Sequence, residues 1–442
     1  MHARRGAVVG LLLGPVFSLL SFASPASAEP DDTLGDDFLW GVASSGFQAE
    51  GYSPDSNWRR FAESGAEDPI GNSVDFLHRY KDDIKLARKM GVQVYRVGVE
   101  WARVEPQPGQ RSAEGIAFYD DLIATIVDAG MRPMITIDHW VYPGWQADQG
   151  GWKRAGMVND WLRNAKFVVD RYAKYDPMWI TINEPFAYFL REMKIGALTP
   201  LDIPTFASRL AAAHRPIYDY IHAKQPGAMV SSNVAFIPIV EPVLDGIFLN
   251  KIDDKIDFVG IDYYYSAAPT QARTLYSFFD QFWKADSSAD GVYYALQYYA
   301  KKYPDLPLFI IENSIPTENG KPRSDGYLRE DHLRDTVFWL ERAKADGYNV
   351  VGYNYWSLTD NYEWGSYTPR FGLYTVDVKD DPTLERKPTA AVDAYREIIA
   401  DNGVPDVYQP SRPGTFCSLV NGVTSCVQTL GNIKGLTLPP LG

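Results

Sequence analysis

The chain has 442 residues, 45% hydrophobic and 14% aromatic, with 12 Trp and 28 Tyr, so it buries one large core or two ordinary ones and is no disordered tail. Its formal charge of −13 argues against nucleic acid and anionic membrane surfaces as partners.

In chain order, residues 1–28 read as an export signal. Arg4 and Arg5 precede an apolar run from Ala7 to Phe22, and small residues end at Ala26-Ser27-Ala28, where cleavage is expected. A membrane anchor is the alternative, but Pro15 and Ser18 interrupt a run already short for a span of about 20 residues. The expected mature protein therefore has no stable membrane span and is secreted or held in the cell envelope.

Eight β-rich runs follow: Phe38 to Ser45, Val94 to Trp101, Arg132 to His139, Met178 to Glu184, Ala228 to Phe236, Asp257 to Tyr264, Pro307 to Glu312 and Asn349 to Leu358. Helical patterns fill the gaps over Val74 to Met90, Ile116 to Ala129, Val158 to Tyr175, Thr205 to Lys224, Gly291 to Lys302 and Arg329 to Asp346. This alternation, without a hairpin signal, predicts an α/β fold of the (β/α)8 TIM-barrel type over residues 29–401. Two doubly wound halves are the competing reading, disfavoured because no glycine-rich phosphate loop follows the first run and no linker divides the middle. From Asn402 to Gly442 the helical pattern gives way to a tail rich in Pro and Gly that is packed on the barrel or loosely ordered. It holds the only two cysteines, Cys417 and Cys426, which in an exported protein read as a disulfide rather than a metal site, since no histidine lies near them.

Active sites of such barrels lie at the C-terminal ends of the strands. Polar residues crowd those ends: Gln48 and Glu50, Arg96, His139 and Trp140, Asn183 and Glu184, Tyr263 and Tyr264, Glu312, and Trp356. The fifth run ends without obvious chemistry. Glu184 and Glu312 each close an apolar run beside an asparagine. Paired carboxylates across a barrel mouth are the equipment of glycoside hydrolysis, one protonating the leaving oxygen and the other attacking the sugar or activating water. A surface or capping role is the alternative for either glutamate taken singly.

The motifs FLWGVASSGFQAEG, YRVGVEWARVEP, IDHW, ITINEP, IDYYYS, IIENS and YWSLTDNYEWGSYTPRFGLYTVD stand in that order. Through them the chain resembles glycoside hydrolase family 1, the β-glucosidase type, from about Phe38 to about Ile399. The resemblance implies a secreted retaining β-glycosidase acting on a terminal β-glycosyl unit, with Glu184 as acid/base, Glu312 as nucleophile and their carboxyls roughly 5 to 5.5 Å apart. It further implies that Arg96 keeps Glu312 ionised, that Tyr264 hydrogen-bonds it, and that Asn183 contacts the sugar 2-hydroxyl. Sugar recognition falls to Gln48, His139, Trp356, Glu363 and Trp364, with Glu363 as a carboxylate that rejects a 6-phosphosugar. The expected partner is a small-molecule β-glycoside or oligosaccharide, with no cofactor and no metal, because His139 has no further ligand at metal spacing. A transglycosylase using the same glutamates and an inactive sugar-binding protein are the alternatives.

Three positions depart from the family pattern: Asp262 where Asn is usual, Ser314 where Gly is common, and Val141-Tyr142 where Asp-Leu is usual. Asp262 puts a third carboxyl near the pair. The aromatic stretch from Thr270 to Asp290 reads equally as an apolar wall for an aglycone or as a buried cluster.

Overall fold

The computed structural model describes residues 34–237, 240–264, 282–285, 287–412 and 414. The export signal, Cys417, Cys426 and most of the aromatic stretch from Thr270 to Asp290 lie outside the described residues. The core is a parallel β-barrel: β1 (Leu39–Ala43), β2 (Val94–Gly98), β3 (Arg132–Asp138), β4 (Met178–Ile182), β5 (Val230–Ser231 and Asn233–Ala235), β6 (Val259–Tyr263), β7 (Leu308–Asn313) and β8 (Val350–Trp356). β1 pairs with both β2 and β8, and β5 joins β4 through its first segment and β6 through its second, so the ring closes.

Strand five, expected as one run, is broken at Ser232. The Ser232 hydroxyl donates to the Ile182 carbonyl at 2.5 Å and the Ser231 hydroxyl to the Phe258 carbonyl at 2.6 Å, so serine side chains bridge to the neighbouring strands at the break. The helix Gly291–Lys302 has the expected bounds, and Ile203–Lys224 and Arg329–Ala345 nearly so. A helix over Pro185–Lys194 escaped the sequence reading, because Phe186 to Leu190 run apolar without the polar face that marks a period of 3.6. Two-residue antiparallel pairs, also unforeseen, tie Thr317–Glu318 to Pro369–Arg370 and Tyr374–Thr375 to Lys387–Pro388 in the loops after β7 and β8.

The barrel interior is built in levels. At the bottom, Val94, Met134, Met178, Ile180, Phe258, Phe309 and Ile311 form a buried apolar plug, backed by Leu39, Met229 and Val351. Gly352 makes room for it, since a Cβ there would stand 2.5 Å from the Phe309 ring. Because side chains alternate along a strand, residues two further on share the inner face. Thus Arg96 and Thr136 follow Val94 and Met134, and the Arg96 Nε donates to the Thr136 hydroxyl at 2.9 Å. Outside the barrel, its outward side chains and the surrounding helices bury a larger core that includes Trp40, Tyr95, Ile123, Val168, Ile217 and Leu340.

The last helix, Ala390–Asp401, ends at Asn402 with φ 54°, a left-handed cap. Beyond it, the Tyr408 hydroxyl and the Ser411 backbone N–H both donate to Asp335 Oδ1, at 2.6 and 2.8 Å, which fixes this segment to the helix Arg329–Ala345.

Phe309 is fully buried in the plug. Phe309→Ala is expected to cost about 3–5 kcal/mol through lost transfer energy and the cavity left behind. Denaturant unfolding checks this as a lower midpoint at unchanged m-value.

Candidate active site

Glu184 stands just past β4, at the N-cap of the helix Pro185–Lys194, with φ 38° and ψ 69°. Its backbone N–H donates to the Asn233 carbonyl at 3.1 Å, and Pro185 fixes the first helical turn behind it. Glu312 lies on β7 at a register irregularity. β6 pairs Ile261 with Ile310 but Asp262 with Glu312, so Ile311 is an extra residue. A bulge of this kind breaks the alternation and re-aims the next side chain, which explains how Ile311 joins the plug while Glu312 lines the mouth.

Carboxyl oxygens of Glu184, Glu312 and Asp262 lie within 4.8 Å of one another. All three residues are buried. Arg96, fully buried beneath them, donates from Nη1 to Glu312 Oε1 and from Nη2 to Asn183 Oδ1 at 2.5 Å. The Tyr264 hydroxyl donates to Glu312 Oε2 at 2.7 Å. Asp262 and Tyr264, two residues apart, both reach the cavity, whereas Tyr263 points away and donates to the Ser288 carbonyl at 2.7 Å. Among the described residues these three carboxyls are the only His, Cys, Asp or Glu cluster tight enough to share a cation. Arg96 already supplies that charge, and both Glu312 oxygens are taken as acceptors.

Burial pushes the Glu184 carboxyl well above the usual range, and the nearby Glu312 charge pushes it further, against the opposing pull of Arg96 and Arg191. Asp262 is raised well above its ordinary value by burial first, then by Glu312 and Glu184. His139 is held neutral by burial and by Arg96. Its Nε2 faces the Asn183 amide Nδ2 at 3.4 Å, so the network assigns the proton to Nδ1, which has no protein partner.

The cavity over this cluster is open to solvent. Gln48, His139, Glu184, Tyr264, Glu312, Trp356, Glu363 and Trp364 all line it, while Arg96 and Asn183 support it from below. The Trp356 indole N–H donates to Glu363 Oε1 at 2.8 Å, and Gln48 Nε2 donates to Glu363 Oε2 at 3.1 Å. Trp356 stacks on His139 with ring centroids 5.9 Å apart. Trp364 packs edge-on to Trp140 at 5.5 Å and carries the Arg191 guanidinium 3.2 Å from its ring centre. Glu363, read from the sequence as a carboxylate facing the sugar, is pushed up to about 8, mainly by burial.

The fifth strand, read as lacking chemistry, supplies Asn233. Its Nδ2 donates to Asn183 Oδ1 at 2.7 Å and also to Asp262 Oδ2. Inward phase was the available signal, obscured by the break at Ser232. Phe186, Leu190, Phe236 and Ile237, on the β4 and β5 side, give the cavity an apolar wall opposite Gln48 and Glu363.

The sequence model of glycosyl hydrolase family 1 matches residues 30–233 and 240–404. The chain is 30% identical over 339 residues to galactolipid galactosyltransferase SFR2, chloroplastic, from Arabidopsis thaliana, a match covering 68% of this chain but only 54% of that relative. It is 26% identical over 449 residues to beta-glucosidase A from Acetivibrio thermocellus, covering 84% of this chain and 99% of the relative. A solved beta-glucosidase from Thermotoga maritima in complex with deoxynojirimycin superposes with a TM-score of 0.71 at 23% identity, covering 84% of this chain and 100% of that one, which establishes a shared fold.

Glu363 links pH to stability. Its folded value of about 8 exceeds the ordinary 4.5, so the unfolded chain releases a proton that the folded protein retains, and stability falls as pH rises between those values. Glu363→Gln removes that slope. The melting temperature of the variant relative to wild type is expected to climb from about pH 4.5 to about pH 8 and then level off in a pH series of thermal melts.

Proposed function

The chain belongs to glycosyl hydrolase family 1, and from that premise we propose that it is a retaining β-glycosidase removing a terminal, non-reducing β-D-glucosyl-type unit by double displacement. The observation that carries this reading is the approach of Glu184 and Glu312 carboxyl oxygens to within 4.8 Å. That suits direct attack on the anomeric carbon, for which carboxyls stand about 5–5.5 Å apart, better than the roughly 6.5–9.5 Å of inverting enzymes.

Glu312 is the nucleophile. Arg96 and Tyr264 donate to its two oxygens and fix its orientation. Glu184, holding its proton through burial and the Glu312 charge, gives that proton to the leaving oxygen as the bond from the anomeric carbon to that oxygen breaks and the bond to Glu312 forms. Esterification removes the Glu312 charge, and with it one reason for Glu184 to keep a proton. Arg96 and Arg191 then favour the Glu184 carboxylate. It takes a proton from water, whose oxygen attacks the anomeric carbon and frees Glu312. Asn183, oriented by Arg96 and Asn233, is placed to meet the sugar 2-hydroxyl. Gln48, His139, Trp356, Glu363 and Trp364 hold the rest of the sugar. The pattern of residues 1–28 supports export of the enzyme.

Transfer to an alcohol in place of water is the second reading, favoured by the apolar β4 and β5 wall and by the similarity to a galactosyltransferase. Product analysis with an added long-chain alcohol separates the two, alkyl glycoside marking transfer and free sugar hydrolysis. A binding protein without turnover is disfavoured because both glutamates are in place.

Glu312→Ala is expected to lower turnover of an aryl β-glycoside by about 10⁴-fold or more, with azide restoring it as a glycosyl azide of inverted configuration. Glu184→Ala is expected to lower turnover by about 10²–10⁴-fold, less for activated leaving groups, with azide giving retained configuration. Wild-type turnover in Glu312→Ala, or activity confined to α-glycosides, contradicts the assignment.

A further inference from the structure

Asp262 is the one carboxyl of the Glu184, Glu312 and Asp262 cluster that the double displacement does not use. It is 1% exposed and lines the cavity. Its Oδ2 accepts from Asn233, and its Oδ1 has no partner in the protein. The groups facing it are the Glu312 carboxyl from β7, the Glu184 carboxyl from the end of β4, the Arg96 guanidinium from β2 and the Asn233 amide from β5. Tyr264 follows it on its own inner face and is already committed to Glu312.

Charge bookkeeping restricts what Asp262 can be. Three carboxyls lie within 4.8 Å of one another, and Arg96, bonded to Glu312, is the cation beneath them. Glu312 as an anion balances Arg96 in the free enzyme. Once Glu312 is esterified, Glu184 as an anion balances it instead. A second anion at Asp262 would leave an unpaired charge in either state, with one buried oxygen lacking any donor, an arrangement that costs several kcal/mol. A protonated Asp262 leaves the site neutral at both stages. Its hydroxyl then becomes a donor within the cavity, and buried neutral carboxylic acids are effective donors of this kind.

We propose that Asp262 works as a neutral acid, its Oδ1 hydroxyl donating a hydrogen bond to an oxygen of the bound glycoside beside the scissile bond. It is a further substrate-contacting residue of the reaction proposed above, and the inference rests on that reading. The accepting oxygen lies on the side between β4 and β6, where the neighbouring amides Asn183 and Asn233 are held in the Arg96 network. An asparagine at 262 preserves the donor, because its amide nitrogen takes the place of the hydroxyl while its oxygen keeps the bond from Asn233.

The test compares pH profiles of kcat/KM on an aryl β-glycoside for wild type, Asp262→Asn and Asp262→Ala. Asp262→Ala is expected to fall by about 10²-fold, the cost of one transition-state donor, and Asp262→Asn to recover to within about tenfold of wild type. The wild-type basic limb is expected to fall with two protons, from Glu184 and Asp262, and that of Asp262→Asn with one. An Asp262→Asn variant as weak as Asp262→Ala, or a wild-type basic limb of a single proton, overturns the proposal. Infrared difference spectroscopy of the unliganded protein, wild type minus Asp262→Asn at neutral pH, reads protonation without turnover. It is expected to show the carbonyl stretch of a protonated acid, and carboxylate bands in its place overturn the proposal whatever the activity. Absence of β-glycosidase activity with the acid band intact overturns the hydrolase reading instead.

Discussion

The active site depends on one buried cation. Arg96 is fully enclosed by the barrel, and a guanidinium in that position is tolerable only if its donors are filled. Thr136, Glu312 and Asn183 fill them. Each partner is thereby fixed in turn: Glu312 by an ion pair, Asn183 through its oxygen, and Asn233 through the oxygen it shares with the guanidinium. The apolar plug of Val94, Met134, Met178 and Phe309 is the floor on which this network stands. It gives the network an apolar underside, where electrostatic effects are larger than they would be in water.

That rigidity allows the mouth to hold backbone conformations that a looser frame would relax. Glu184, Trp140 and Trp364, all lining the cavity, have φ of 38°, 71° and 53° without being glycine. Such residues cost on the order of 1–3 kcal/mol each and persist where the surrounding structure over-determines them. Here Trp140 is held by its backbone N–H on Asp138 and its indole N–H on the Asn183 carbonyl, at 2.9 and 2.8 Å. Glu184 is held between the end of β4 and a proline-started helix. The strain therefore coincides with the residues that must project into the mouth.

Much of this was legible from the chain. The strand and helix alternation pointed to the barrel, and the strand ends pointed to Glu184, Glu312, Arg96, His139 and Trp356, because such sites gather at the C-terminal rim. Sequence period alone did not place Glu312. The strict alternation that puts Phe309 and Ile311 inside would turn Glu312 outward, and only the bulge corrects it. Asn233 went unrecognised because its strand is interrupted by serines bonding to neighbouring carbonyls, a tertiary event with no local mark. The choice between Tyr263 and Tyr264 was open to alternation, since Asp262 and Tyr264 share one face and Tyr263 takes the other. The protonation of Glu363 was not legible, because burial rather than residue type decides it.

Three carboxyls of similar intrinsic acidity, Glu312, Glu184 and Glu363, thus differ within one cavity, and their partners set the difference. Glu312 has a guanidinium and a phenol as donors to its two oxygens. Glu184 has burial and the neighbouring Glu312, which push its carboxyl well above the usual range. Glu363 has only neutral donors, an indole and an amide, and stays protonated to about pH 8. The polar half of the cavity, from Gln48 to Trp364, is therefore specified by hydrogen bonds, whereas the half formed by Phe186, Leu190, Phe236 and Ile237 is specified by shape. Hydrogen-bonded pockets discriminate strongly against analogues that lack a hydroxyl, while apolar walls discriminate by only about 1–3 kcal/mol per methylene. On the proposed function, selectivity for the sugar is accordingly strict and selectivity for the acceptor loose, so that competition between water and an alcohol turns on how well the alcohol covers that wall.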